Sequence, residues 1–170
     1  EIITPEEKFH IIDIWENFKP GTKKFYSNFN FMLLEYLIEV LSEQNFTEYC
    51  KQNIFEPLNM SNTSFYFDDI KDKELAGSYH NFGSIYYPIP YTDVGYSFGG
   101  LKTSISDFSH YIIAYINEGV WNGVRILNES TVNLSLTVQF ENASASQYIG
   151  YSLGWQYFGG YQNSSTYGHT

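Results

Sequence analysis

The pattern that most restricts how this chain can fold lies between residues 28 and 43. Phe31, Leu34, Leu37, Ile38 and Leu41 recur at helical spacing, while Glu35, Glu39 and Glu43 hold the intervening positions. This predicts an amphipathic helix with the aliphatic side buried and the carboxylates wet. Asn28 stands where an N-cap would. The apolar run Phe29–Leu41 is broken by Glu35 and Glu39 and is too short to span a bilayer. At 170 residues, 43% hydrophobic and 16% charged, the chain reads as one folded domain or a large piece of one, not as a disordered segment.

Other elements follow from punctuation and period. An amphipathic stretch carrying Phe9, Ile12, Ile14, Trp15 and Phe18 ends at Lys19-Pro20-Gly21. A short helix is expected from Thr47 as N-cap to just before Pro57, with Asn59 left-handed in the turn that ends it. Short strands are expected at Thr63–Phe67 and Ile85–Tyr91, the second an edge strand or extended loop because of Pro88 and Pro90. Ser104 and Asp107 resemble a capping box opening a third helix with Phe108, Tyr111, Ile112, Tyr115 and Ile116 as its buried stripe and Gly119 at its end. Asn122-Gly123 suits a type I′ hairpin, Glu129–Leu136 reads as a short helix, and the alternation over Ile149–Tyr157 as a strand. The fold class is therefore mixed α/β.

Nine Lys and Arg against nineteen Asp and Glu give a net charge of −10. That lacks the basic footprint needed for nucleic acid or an anionic membrane surface. The four histidines (His10, His80, His110 and His169) show no metal-ligand spacing, and no phosphate-binding glycine loop, GxSxG elbow or HExxH helix occurs. Cys50 cannot form an internal disulfide and reads as a small buried hydrophobe. Seven sequons begin at Asn45, Asn59, Asn62, Asn128, Asn133, Asn142 and Asn163, where the composition gives about two by chance. Either the chain is glycosylated in a secretory pathway, hence secreted or in an endomembrane lumen, or its Asn- and Ser-rich composition raises the count without glycans. Tyr86, Tyr87, Tyr91 and Tyr96 offer a stacking platform for sugars or peptides, or ordinary packing. Glu1-Ile-Ile-Thr-Pro5 has neither the basic start nor the apolar run of a signal peptide, and both ends read as cut from a longer chain.

Four segments, in order, carry a family resemblance. Pro20-Gly21-Thr22 through Tyr26-Ser27-Asn28 looks like a PGxxxxYSN segment. Phe46 through Ile54-Phe55-Glu56-Pro57-Leu58-Asn59-Met60 and Thr63 follows an F…IF-PLGM-T stretch, with Asn59 in place of the usual glycine. Gly99-Gly100-Leu101-Lys102-Thr103-Ser104 with Asp107 resembles a GGL-S-x-x-D loop and helix. Gly150-Tyr151 to Gly154-Trp155, then Gly168-His169-Thr170, is similar to a YGLGW…GHTG close that lacks its last glycine. Together they resemble the serine β-lactamase-related proteins: class C β-lactamases, D-alanyl-D-alanine carboxypeptidases, and related esterases and aminopeptidases.

The resemblance implies an antiparallel sheet flanked by helices plus a helical subdomain, with residues 1–170 the central part of one domain. It implies acyl-enzyme chemistry on an ester, an amide or a D-amino-acid peptide, with no cofactor. Tyr26 would be the acid/base group, and Asn28 would hydrogen-bond the substrate amide or a catalytic lysine. His169 and Thr170 would line the pocket. A phenol is a poor base at neutral pH unless a neighbouring cation stabilises its phenolate. The family's Ser-x-x-Lys, which carries nucleophile and cation, is not in this chain: no Ser or Thr is followed by Lys three places on. Lys23 and Lys24 read as solvated surface lysines. Two other readings stay open. One is a non-catalytic relative using the same cleft to bind a peptide or scaffold an assembly, and the other a secreted carbohydrate module.

Overall fold

The computed structural model describes residues 17–19, 21–23, 25–70, 76–89, 95–141, 150–161 and 164–168. It divides into two compact units, Glu1–His110 and Tyr111–Thr170.

In the first unit, helix α1 spans Asn28–Ser42. Its cap is Ser27, not Asn28. Ser27 has the extended backbone a cap requires (φ −149°, ψ 112°), and its hydroxyl accepts the Asn30 N–H at 3.3 Å. The buried side of α1 also reverses the expectation. Leu34, Leu37 and Leu41 are exposed, whereas Met32 is buried. Glu35 and Glu39 turn towards neighbouring elements because helix starts need acceptors. Glu39 Oε1 accepts the Phe46 N–H at 2.8 Å, and Glu35 Oε2 accepts the Ser97 N–H at 3.3 Å.

Helix α2 (Phe46–Cys50) runs on as a π-helical turn, Lys51–Phe55. Its cap is Asn45 rather than Thr47, because Asn45 Oδ1 accepts both the Thr47 N–H at 3.0 Å and the Thr47 hydroxyl at 2.6 Å. The segment closes as expected at Asn59, left-handed at φ 53°. Asn59 N–H donates to Glu56 O at 3.0 Å and Met60 N–H to Phe55 O at 2.8 Å, a paired C-terminal motif. Beneath it Phe65 packs on Phe55 and Phe46, ring centroids 5.9 and 5.4 Å apart, with Leu58, Met60 and Ile70 buried around them.

The strand expected at Thr63–Phe67 is a single bridge, Ser64 to Lys102, followed by a 3₁₀ turn at Phe67–Asp69. Strands β1 (Tyr79–Phe82) and β2 (Ile85–Pro88) form a hairpin whose residues are all exposed. Tyr86 and Tyr87, as strand neighbours, project to opposite faces, and Tyr96 packs instead on Phe65 and Tyr66 at 5.9 and 5.4 Å. Tyr91 lies outside the described residues, so no single tyrosine platform is formed by the others. Helix α3 (Tyr96–Gly99) precedes helix α4 (Ile105–Ile116). Ser104 caps α4 by accepting the Asp107 N–H at 3.1 Å. The Asp107 carboxylate does not complete a box. It is buried and reaches across to the Asn62 N–H at 2.7 Å and the Thr63 hydroxyl at 2.8 Å. Of the expected α4 stripe, Phe108 and Ile116 are exposed, and Ala114 is the fully buried aliphatic.

In the second unit, β3 (Val120–Trp121) and β4 (Val124–Arg125) pair through Asn122 and Gly123, with φ 47° and 80° as a type I′ turn demands. Helix α5 occupies Glu129–Leu136, as expected. A four-stranded antiparallel sheet follows in the order β5 (Phe140–Glu141), β6 (Gly150–Tyr151), β7 (Gln156–Tyr161), β8 (Ser164–Gly168). The strand expected over Ile149–Tyr157 is thus a hairpin, Tyr151 facing Gln156, with Gly154 at φ 78° in its turn. An even-numbered loop preserves the two-residue alternation, so the turn left no break in the pattern. The fold class is mixed α/β with small antiparallel sheets and helices, as the sequence implied.

Candidate functional site

Tyr26 and Asn28 flank Ser27 at the start of α1. Ser27 is extended, and its hydroxyl turns to cap the helix. Tyr26 is 60% exposed. Asn28 is half-buried, and its Oδ1 is buried with no hydrogen-bond partner among the described residues. Ser27 makes the cap, and among the described residues the Asn28 Oδ1 is left to accept from another polar group. No residue in the first turn of α1 is acidic, so the partial positive charge of the helix start is not neutralised there.

One helix turn-pair further along, Glu35 holds α3 through the Ser97 N–H. The Ser97 hydroxyl is a second buried oxygen without a described partner. Sequence reasoning missed both residues: Glu35 was assigned to the wet side, and Ser97 belongs to no motif. Their only advance signal was a glutamate inside an otherwise apolar helix beside a glycine-flanked segment. Cys50 is buried next to Glu35, and burial, with the glutamate's charge added, pushes its thiol up to about 12. It is a packing residue and not a nucleophile.

Lys23 is exposed, with its ammonium 5.9 Å from the Phe18 ring, and Lys24 lies outside the described residues. His169 and Thr170 directly follow β8 in sequence and also lie outside them. His110 is structural, its Nδ1 2.9 Å from the Leu58 carbonyl, while His80 sits on the exposed hairpin 4.9 Å from Phe82. Among the described residues no group of His, Cys, Asp and Glu could hold a metal ion, and no helix is long and apolar enough to cross a membrane. A cavity of about 370 Å³ opens between Thr47, Lys51, Glu56, Ser61, Tyr66 and Asp69, and neither Tyr26 nor Asn28 lines it.

The extended Ser27 leads into helix α1 in a mixed α/β chain with small antiparallel sheets. The chain belongs to the Beta-lactamase family, whose profile matches residues 13–170. It is 26% identical over 184 residues to an Escherichia coli K12 protein provisionally described as a D-alanyl-D-alanine carboxypeptidase, covering 90% of this chain and 41% of that one. An octameric penicillin-binding protein homologue from Pyrococcus abyssi superposes with a TM-score of 0.85 at 28% identity, over 98% of this chain and 38% of that one. A D-stereospecific amidohydrolase from Streptomyces shares the fold (TM-score 0.78, 20% identity, 98% of this chain and 48% of that one). The chain therefore spans about two fifths of the curated relative from Escherichia coli.

Proposed function

We propose that the protein is a serine hydrolase that forms an acyl-enzyme on an amide, an ester or a D-amino-acid peptide. The observation that carries this is the division of labour at the start of α1. Ser27 does the capping, Tyr26 is exposed, and the Asn28 oxygen has no hydrogen-bond partner among the described residues. Residues 1–170 form the central part of the domain, and the nucleophile and its lysine come from outside them.

In this reading Tyr26 takes the proton from the serine hydroxyl as it attacks the carbonyl and returns it to the leaving group. A lysine ammonium nearby supplies the positive charge that makes a phenolate tenable. Asn28 Oδ1 accepts a hydrogen bond from the substrate amide or from that lysine. His169 and Thr170, just past the sheet's last strand, line the pocket. No cofactor takes part. The sequons support a secreted or endomembrane location, since Asn45, Asn59, Asn128 and Asn133 are all exposed.

The test is covalent. Full-length protein is mixed with a D-alanyl-D-alanine peptide ester, a chromogenic β-lactam and a short aryl ester, quenched in acid, and weighed intact. An adduct of one acyl group, mapped to a serine, is the expected result. No adduct and no turnover with any of the three would favour a non-catalytic relative that binds a peptide in the same cleft.

A further inference from the structure

The cavity of about 370 Å³ in the first unit takes no part in the chemistry assigned to Tyr26 and Asn28, since neither lines it. Its volume suits a small molecule. The floor is apolar and set by the core, where Phe55, Met60 and Phe65 are 8, 4 and 5% exposed. One wall is the π-helical turn Lys51–Phe55, in which the Glu56 N–H reaches back five residues to the Lys51 carbonyl at 2.9 Å. Such wide turns are rare and recur at functional sites. The mouth is charged. Glu48, Glu56 and Asp69 stand there with Lys51, all four exposed, and three carboxylates with one ammonium leave it at −2. Charged side chains around an opening keep it turned to water.

We propose that this cavity binds a small organic amine, its hydrocarbon body on the Phe55 and Phe65 floor and its ammonium at the carboxylate mouth. Two of the carboxylates are held in place by bonds that use one oxygen each. Asp69 Oδ2 accepts the Ser64 hydroxyl at 3.0 Å, and that hydroxyl oxygen accepts the Tyr66 N–H at 3.0 Å. Glu48 Oε1 accepts from Gln52 Nε2 at 2.6 Å. Acceptors positioned in this way lose little freedom when a ligand arrives. The carboxylates do not converge on a point: among the described residues no group of His, Cys, Asp and Glu could hold a metal ion. A bare cation therefore matches the cavity poorly, whereas a molecule reaching from the apolar floor to the mouth matches both ends. An anion meets the −2 of the mouth and the −10 of the whole chain.

The experiment is calorimetric titration of full-length protein with phenethylamine, and with phenethyl alcohol and phenylacetate as neutral and anionic molecules of similar body. The expected result is a Kd of about 1 mM or tighter for the amine, at least about 10-fold weaker binding of the other two, and weakening of the amine by added salt. Glu56→Gln combined with Asp69→Asn should weaken the amine about 10-fold, and Lys51→Gln, which removes a like charge, should tighten it about 3-fold. The two changes move affinity in opposite directions, so a folding defect cannot imitate both. Tyr26→Phe should leave the affinity unchanged. No binding of the amine up to about 10 mM, or equal binding of all three molecules, would overturn the proposal. So would affinity that falls in Tyr26→Phe and holds in the mouth variant, because it would put the amine in the cleft beside Tyr26.

Discussion

Replacing Asp107 by alanine removes a buried carboxylate that ties the turn after Asn59 to the start of α4. Its carboxylate is 4% exposed and accepts from the Asn62 N–H at 2.7 Å and the Thr63 hydroxyl at 2.8 Å. The Thr63 hydroxyl also lies 2.7 Å from that of Thr103, so it retains one neighbour when Asp107 is lost, whereas no replacement partner is seen for Asn62 N–H. A hydrogen bond to a charged group contributes about 1.5–3 kcal/mol, and a buried donor left unpaired costs a similar amount. Removing the carboxylate also relieves its desolvation, so the net loss is about 3–4 kcal/mol rather than the full sum. Asp107→Asn keeps one acceptor and should lose about half as much, roughly 1–2 kcal/mol. Thermal and urea unfolding of the full-length variants, with Thr63→Val added to complete a double-mutant cycle, provide the measurement. A loss below about 1 kcal/mol for Asp107→Ala, or no coupling between positions 63 and 107, would refute the reasoning.

Gly119→Ala should be severely destabilising. The new Cβ would sit 2.1 Å from the Leu127 carbonyl oxygen at φ +89°, and a Tm within about 3 °C of the parent would contradict the geometry. Cys50, its thiol raised to about 12, should remain unreactive towards a disulfide reagent at pH 8 until the protein unfolds. The sign follows from the direction: only about one part in 10⁴ is thiolate at that pH, and reactivity climbs as pH approaches 12. Prompt labelling in native protein would contradict the burial. If the sequons are used, an N-glycan-removing enzyme should lower the mass of protein from its natural source, with Asn45 converted to Asp. Asn45 suits this because its side chain is exposed and the cap uses its Oδ1, which leaves Nδ2 as the attachment atom. No mass change would leave composition alone as the source of the sequons.

Where one local rule governs, the sequence was legible. Asn122-Gly123 could hardly be anything but a type I′ turn, Asn59 tolerates the left-handed position that ends a helix, and Ser104 caps α4. The misreadings share a cause: patterns reveal a period but not which partner meets it. The α1 stripe is apolar as expected but exposed, because within this unit the side of α1 that meets its neighbours carries Met32, Glu35 and Glu39. At Ser152–Trp155 a turn is hidden by its own parity. At the candidate site Tyr26 and Asn28 were found through the family pattern. That Ser27 would free Asn28 from capping depends on a backbone angle no composition encodes.

The functional reading rests on Tyr26, and one substitution tests it. Tyr26→Phe removes a hydroxyl from a side chain that is 60% exposed and keeps the ring, so the fold should hold. The measurement is the acylation rate of full-length Tyr26→Phe by the best of the three probes, taken together with its Tm. A lost acid/base group costs about 10²–10⁴ in rate, and the account predicts that loss with Tm within about 2 °C of the parent. An acylation rate equal to the parent's would contradict it and remove Tyr26 from the chemistry.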